Sequence, residues 1–225
     1  MIKLPLPEPL PLEVPLRTLD ERRVSIAEFP YRRLRLTIDH EPLVGVTPEM
    51  LLWWFGHIGE SMEYHGSVQP RYRVWHPLDH VHWGLVNPAP DGTVSEGARF
   101  RIIEAMGRDE RFYIDSVDRV EKLDLTGIRL VLRIAGAMFF QLEHTWSRAE
   151  GATHYTSVMD VGSRSPLGLP INAYLRSRIF VPGMERAWLR HNIEEVGRFE
   201  HFLPDLYRSR RDADLAAEPN GIARA

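Results

Sequence analysis

Between residues 98 and 161 the chain repeats one pattern: apolar side chains alternate with polar ones over strand-length runs. Short turns at Gly107-Arg108-Asp109, Thr126-Gly127 and Glu150-Gly151 separate these runs. The pattern then changes period. From about Gly183 to Phe202, Met184, Trp188, His191, Glu195, Phe199 and Phe202 advance by four, three, four, four and three, which places all six on one face of a helix. Consecutive strands with short turns make an antiparallel meander, whose inner face must be buried against something. One long helix with an apolar stripe is the available partner. The expected class is α+β: a curved antiparallel sheet wrapped around a long C-terminal helix, with its cavity between the two.

The strand candidates are Arg32–Ile38, Tyr72–Trp75, Val81–Val86, Ala98–Met106, Arg111–Val120, Ile128–Trp146 (bent near Gly136) and Thr153–Val161. Thr47-Pro48-Glu49 reads as a helix start, with Thr47 capping and Pro48 in the first turn. Leu51, Trp54, Phe55, Ile58 and Met62 then keep helical spacing, which predicts a helix to about Tyr64. A shorter helix is expected near Ile171–Phe180, and Pro204 is expected to end the long one. Prolines at every second or third position from residue 4 to 16 favour extended backbone. The division is therefore a proline-rich arm over 1–29, lying on the surface or on a partner subunit, one domain over 30–205, and a disordered tail over 206–225.

With 28 Lys and Arg against 31 Asp and Glu, no basic excess points to nucleic acid. No segment approaches the roughly 20 apolar residues of a membrane span, and prolines interrupt any signal-peptide core. A cytoplasmic homodimer is expected. The chain has no cysteine, which removes disulfides, thiolate metal sites and cysteine nucleophiles together. A metal must then be held by His, Asp or Glu, and ten histidines are available.

Three anomalies concern chemistry. His191 and Glu195 project side by side from the apolar helix face, where a carboxylate is costly unless it is paired or bound to metal. The bland alternative is a simple His–Glu hydrogen bond. Trp75-His76-Pro77-Leu78-Asp79-His80-Val81-His82 packs three histidines around a proline. One of His76 and His80, not both, is expected to bind metal there, because Pro77 disfavours the helical pairing; Asp79 would orient a ligand or order the loop. Glu104 shares an inward strand face with Phe100, Ile102 and Met106, where its partner is a metal or an arginine such as Arg99 or Arg133. His144 sits similarly beside Phe140, Leu142 and Trp146, as a core residue or a catalyst. No Gly-rich phosphate loop, G-x-S-x-G elbow or H-E-x-x-H motif is present.

Taken together, Tyr72-x-x-Trp75-His76-Pro77-x-Asp79-His80, the strand acid Glu104 and His191-x-x-x-Glu195 resemble the diacetylphloroglucinol hydrolase and phloretin hydrolase family over roughly residues 30 to 205. The Trp53-Trp54-Phe55 helix fits as well. The resemblance implies a helix-grip fold like that of lipid-transfer domains and the birch-pollen allergen. It also implies Zn2+ held by His80, Glu104, His191 and Glu195, a substrate-contacting Tyr72, and a pocket lined by His144 and Tyr155. Three positions after the first ligand, where the family has a polar group, this chain has Trp83. The implied activity is hydrolysis of the carbon–carbon bond between an acyl group and a polyphenol ring of a small aromatic ketone. His144 would then take or relay the proton. Two other classes remain open: a metal-free ligand carrier or cyclase of the same fold, and an iron oxygenase using two His and one carboxylate.

Overall fold

A computed structural model describes residues 3–217, with side chains through Arg210. The sheet is built from β1 (Val24–Phe29), β2 (Arg33–Asp39), β3 (Leu43–Val44), and, after the small hairpin β4 (Ser61–Tyr64) and β5 (Ser67–Pro70), from β6 (His80–Asn87), β7 (Arg99–Ala105), β8 (Tyr113–Asp124), β9 (Gly127–Ile134), β10 (Ala137–Ala149) and β11 (Ala152–Val161). Its order is β1-β2-β11-β10-β9-β8-β7-β6, with β3 paired to β11, and every pairing is antiparallel. The helices are α1 (Pro48–Gly56), α2 (Arg71–Trp75), α3 (Leu169–Arg178) and α4 (Met184–Ala217). The sheet grips α4, as the change of hydrophobic period requires. This is the helix-grip architecture.

All six residues of the α4 stripe are buried. Its first half, with Met184 and Trp188, packs on Leu34, Leu36, Met159 and Val161 of β2 and β11. Its second half meets an aromatic cluster of Trp54, Phe55, Trp75, Trp146, Tyr155, Phe199 and Phe202. Full burial of each large apolar side chain contributes about 1.5–3 kcal/mol, so this cluster accounts for much of the grip. No helix among the described residues is long and apolar enough to cross a membrane.

Several boundaries differ from the sequence pattern. α1 stops at Gly56, because the His57 ring hydrogen-bonds back to the Trp53 carbonyl at 2.7 Å and ends the helix there. Met62 therefore belongs to β4, and the His65-Gly66 turn, with both φ angles positive, closes the β4–β5 hairpin. Tyr72–Trp75 is one turn of helix, not a strand; over four residues alternation cannot separate the two periods, and helical spacing puts Tyr72 and Trp75 together in the core. Ile128–Trp146 is two strands. Ala135 and Gly136, at φ 48° and 82°, make a two-residue turn that pairs Ile134 with Ala137. Pro204 lies inside α4, where the turn beyond it is held by Leu206 and Tyr207 against the aromatic cluster, Tyr207 standing 5.5 Å from Trp53. The described residues of the expected tail, 206–217, are thus helical. Residues 24–29 of the arm form β1, and the proline-rich part is tied down by Tyr64 and Arg108, which donate to the carbonyls of Pro11 and Pro7 at 2.6 and 3.0 Å.

Gly127 shows how tightly the inner strands are set. A methyl group there would lie 2.2 Å from the His144 backbone oxygen, at a φ of 154°. Gly127→Ala is expected to destabilise the protein by about 1–3 kcal/mol, as overpacking does, read as a lower midpoint in urea unfolding. A midpoint equal to the parent's would contradict this packing.

Candidate metal centre

Three elements converge in the core between the sheet and its helix. β6 begins with His80, whose register partner across the sheet is Glu104 of β7. α4 supplies His191 and Glu195 from the facing side. His80 Nε2 lies 3.6 Å from the Glu104 carboxylate and 3.3 Å from that of Glu195. His191 Nε2 lies 3.7 and 3.9 Å from the same two groups. All four residues are buried. Donors at about 2.0–2.1 Å from a tetrahedral ion stand about 3.3–3.4 Å apart, so this spacing suits one cation.

Both imidazoles are oriented by their other nitrogen. His80 Nδ1 donates to the Tyr72 carbonyl at 2.6 Å, which leaves Nε2 as a lone pair; buried, it has no hydrogen-bond partner. The Tyr72 and His80 rings stack at 3.8 Å. His191 Nδ1 donates to Asp79 at 3.0 Å, and Asp79 is held in turn by the Gly107 backbone N–H at 2.8 Å. A carboxylate behind a histidine, and a histidine nitrogen turned inward without a partner, are the arrangement that fixes a metal-binding tautomer. The Tyr72 hydroxyl donates to Glu104, and the Asn192 amide donates to Glu195. Two overlapping groups of buried donors could each hold a metal ion, His80 with His191 and Glu195, and His76 with Asp79 and His191; Glu104 stands beside the first.

Burial and mutual attraction shift the ionisable groups of the cluster in opposite directions. Burial pushes the Glu195 carboxyl up to about 7, although His191 and Asn192 pull it down. Burial drives His80 down to about 4, against the pull of Glu104. His191 goes the other way, to about 10: burial opposes its charge, but Asp79, Glu104 and Glu195 together outweigh burial. Asp79 is correspondingly held low; its burial cost is exceeded by the His191 hydrogen bond and charge together with the other groups around it. Burial also keeps the Tyr72 hydroxyl protonated, with the Glu104 charge adding to the effect.

Four buried histidines make a pH prediction for the metal-free protein. His40 and His144 are lowered to about 3, and His76 and His80 to about 4, chiefly by burial. Unfolded, each takes a proton near 6.5. Between pH 6.5 and 4 the unfolded chain therefore binds more protons, and stability should fall with pH by on the order of 1 kcal/mol per histidine per pH unit. His191, Glu195 and Asp118 act oppositely: raised to about 10, 7 and 6, they contribute stability at low pH that is lost as pH rises through those values, but inside this window the four histidines outnumber the two acids. The melting temperature of metal-free protein should drop on acidification from 6.5 to 4.5; a flat profile would contradict the burial of neutral imidazoles.

A narrow cavity of about 40 Å³ reaches two of the four groups, Glu104 and Glu195, and is lined by Phe55, Tyr72, Trp75, Trp83, Phe100 and His144, among others. Trp83 also lines an open groove of about 590 Å³ on the outside, with Leu52, Trp53, Leu85 and Leu123. The Gly59 backbone comes so close that a methyl there would lie 2.2 Å from the indole. Tyr155 stands behind His144, with ring centroids 5.4 Å apart and its buried hydroxyl unpaired. His76 is fully buried and stacks on His191 at 4.6 Å, but its Nε2 faces Glu194 at 3.1 Å; His82 is exposed. Arg133 pairs with Glu121, and the partners of Glu104 are Tyr72, His80 and His191. The sequence pattern missed His40, Ser157 and Asn192, which are buried among these groups. A serine on the inner face of a strand otherwise holding Tyr155 and Met159 was the available signal.

No family model matches the chain, and no curated protein matches it. Among solved structures it is similar to protein Ms6760 from Mycobacterium smegmatis, with 11% identity, 83% of this chain and 99% of that one covered, and a TM-score of 0.42. It is also similar to Ara h 8.0201, with 10% identity, 71% and 97% covered and a TM-score of 0.39. Human STARD10 follows at 11% identity, 85% and 83% covered and a TM-score of 0.31. Likenesses this distant say nothing about what the chain binds.

Proposed function

We propose that this chain is a zinc-dependent hydrolase that cleaves the carbon–carbon bond between an acyl group and a phloroglucinol-type ring, releasing a carboxylic acid and the deacylated phenol. The observation that carries the proposal is the His80 Nε2 lone pair, buried without a partner between two carboxylates and a second oriented imidazole. His80, Glu104, His191 and Glu195 would hold the ion, and two imidazoles with two carboxylates are a nitrogen–oxygen set suited to zinc. When bound, zinc supplies Lewis acidity, drawing electron density from a carbonyl oxygen and making water more acidic.

The side chains do the rest. Phe55, Trp75, Trp83 and Phe100 give the cavity aromatic walls, and at about 40 Å³ it must open before a ring can stack there. Tyr72 keeps its proton, so its hydroxyl fixes the Glu104 carboxylate by donation. His144, neutral through burial, faces the cavity and can accept the proton that water gives up as its oxygen bonds to the acyl carbon. An acyl group flanked by ring hydroxyls is, in its keto tautomer, a vinylogous β-diketone. The ring carbon therefore leaves as a stabilised carbanion and takes a proton, which completes a retro-Claisen cleavage.

The outer apolar groove of about 590 Å³ favours a second reading, a metal-free carrier of aromatic ligands. One experiment separates the two: metal analysis of purified protein, followed by anaerobic incubation with a panel of acylphloroglucinols. About one zinc per chain and release of the carboxylic acid without oxygen are expected. Metal-free protein that binds the panel unchanged would leave the carrier.

A further inference from the structure

His144 is not isolated in the core. Its register partner across β10 and β11 is Ser157, and the partner of Ser157 across β11 and β2 is Ile38, two residues before His40 on the same face. The result is a continuous contact: His144 Nδ1 lies 2.8 Å from Ser157 Oγ, and the same Oγ lies 2.8 Å from His40 Nε2. All three residues are buried, at 2, 0 and 3% exposure, so no bulk water competes for these bonds. Among the described residues His144 Nε2 has no hydrogen-bond partner, and the residue lines the cavity beside Tyr72, Glu104 and Glu195.

One hydroxyl between two imidazoles has a single proton to give, so the chain has two self-consistent directions. Either His40 donates to Ser157 and Ser157 to His144, or the reverse. Asn192 decides between them. Its amide nitrogen donates to the Glu195 carboxylate, so its oxygen is the end left over. That oxygen is buried without another partner, and the Asn192 side chain lies beside His40. A buried acceptor left unpaired costs about 1–3 kcal/mol, which favours a proton on the remaining nitrogen of His40, Nδ1. His40 Nε2 is then an acceptor, Ser157 must donate to it, and Ser157 Oγ must accept from His144 Nδ1.

We propose that His40 and Ser157, biased by the unpaired Asn192 oxygen beside them, hold the proton of His144 on Nδ1 and leave its Nε2 lone pair bare toward the cavity. These three are positioning residues: they act on the reaction through the tautomer of His144. The opposite tautomer would present an N–H to the cavity, unable to accept a proton from water. The catalytic consequence rests on the hydrolase reading; the tautomer does not.

Nuclear magnetic resonance of protein labelled with 15N in histidine tests the tautomer directly, each ring being assigned with a single His→Gln variant. In the wild type, His144 should carry its proton on Nδ1 with Nε2 unprotonated, and His40 likewise. In Ser157→Ala the His144 preference should be lost, and kcat should fall about tenfold or more with KM and zinc content unchanged. Ser157→Thr, which keeps the hydroxyl on a strand-compatible side chain, should restore both. A wild-type His144 protonated on Nε2, or an unchanged tautomer in Ser157→Ala, overturns the proposal. If Ser157→Ala does not fold, the wild-type spectrum decides alone. Absence of turnover in the wild type overturns the hydrolase and leaves the spectrum to decide the chain.

Discussion

Replacing His80 or His191 with alanine is expected to empty the metal site and to lower turnover at least about 10³-fold. Each variant removes one nitrogen donor, and with it one of the two imidazoles that stand near both Glu104 and Glu195. Burial already lifts Glu195 to about 7 against the pull of His191 and Asn192. A proton on Glu195 is then the cheaper way to neutralise the site, and a protonated carboxyl binds zinc poorly. Asp79→Asn is the milder companion. It keeps the shape behind His191 but removes the charge, and should weaken zinc about 10–100-fold without abolishing it. Zinc per chain by elemental analysis and competition against a chelator measure all three. Full zinc occupancy in both alanine variants would show that the ion, if any, sits elsewhere.

How much of this was legible in the sequence depends on the range of the interaction involved. The α4 face was readable because 3.6-residue spacing is local, and His191 and Glu195 are anomalous against Trp188 and Phe199 without any knowledge of the fold. Glu104 was readable for the same reason at period two, and it does line the cavity with Phe100 and Ile102. That His80 rather than His76 turns toward Glu104 was not readable from the residues. It depends on the register of β6 against β7 and on the Tyr72 carbonyl that takes His80 Nδ1. Only the family resemblance pointed to it. The early end of α1 was hidden because the signal is a side chain, His57, bonding back to its own helix. The persistence of α4 beyond Pro204 was hidden because local propensity favours a stop while distant contacts of Tyr207 favour continuation. Ser157 and His40 come together only through the pairing of β11 with both β10 and β2, strands far apart in the chain.

On the proposed hydrolase reading, His144→Ala is expected to bind zinc as the parent does and to lose roughly 10²-fold or more in kcat. The two halves of this expectation have separate causes. His144 is bonded to Ser157, not to any of the four converging groups, so its removal leaves their spacing of 3.3–3.9 Å and their own orienting bonds intact. Turnover suffers because no other neutral imidazole lines the cavity: His80 lies in the metal cluster, and His40 is reached only through Ser157. Burial holds His144 near 3, which makes it a group that passes a proton on rather than keeping it. Such a group can serve water deprotonation and ring-carbon protonation in one turnover, since an imidazolium in this cavity returns its proton readily. The fold should tolerate the change, although the aromatic stack of His144 on Phe55, at 6.2 Å, is lost. Small imidazole-like bases added to the variant should recover part of the rate, because the deleted ring leaves a gap beside the cavity and Ser157 Oγ still marks its inner end. Near-parental kcat in His144→Ala, with zinc in place, would return the residue to the core and leave Tyr72 as the proton-bearing side chain nearest the reaction.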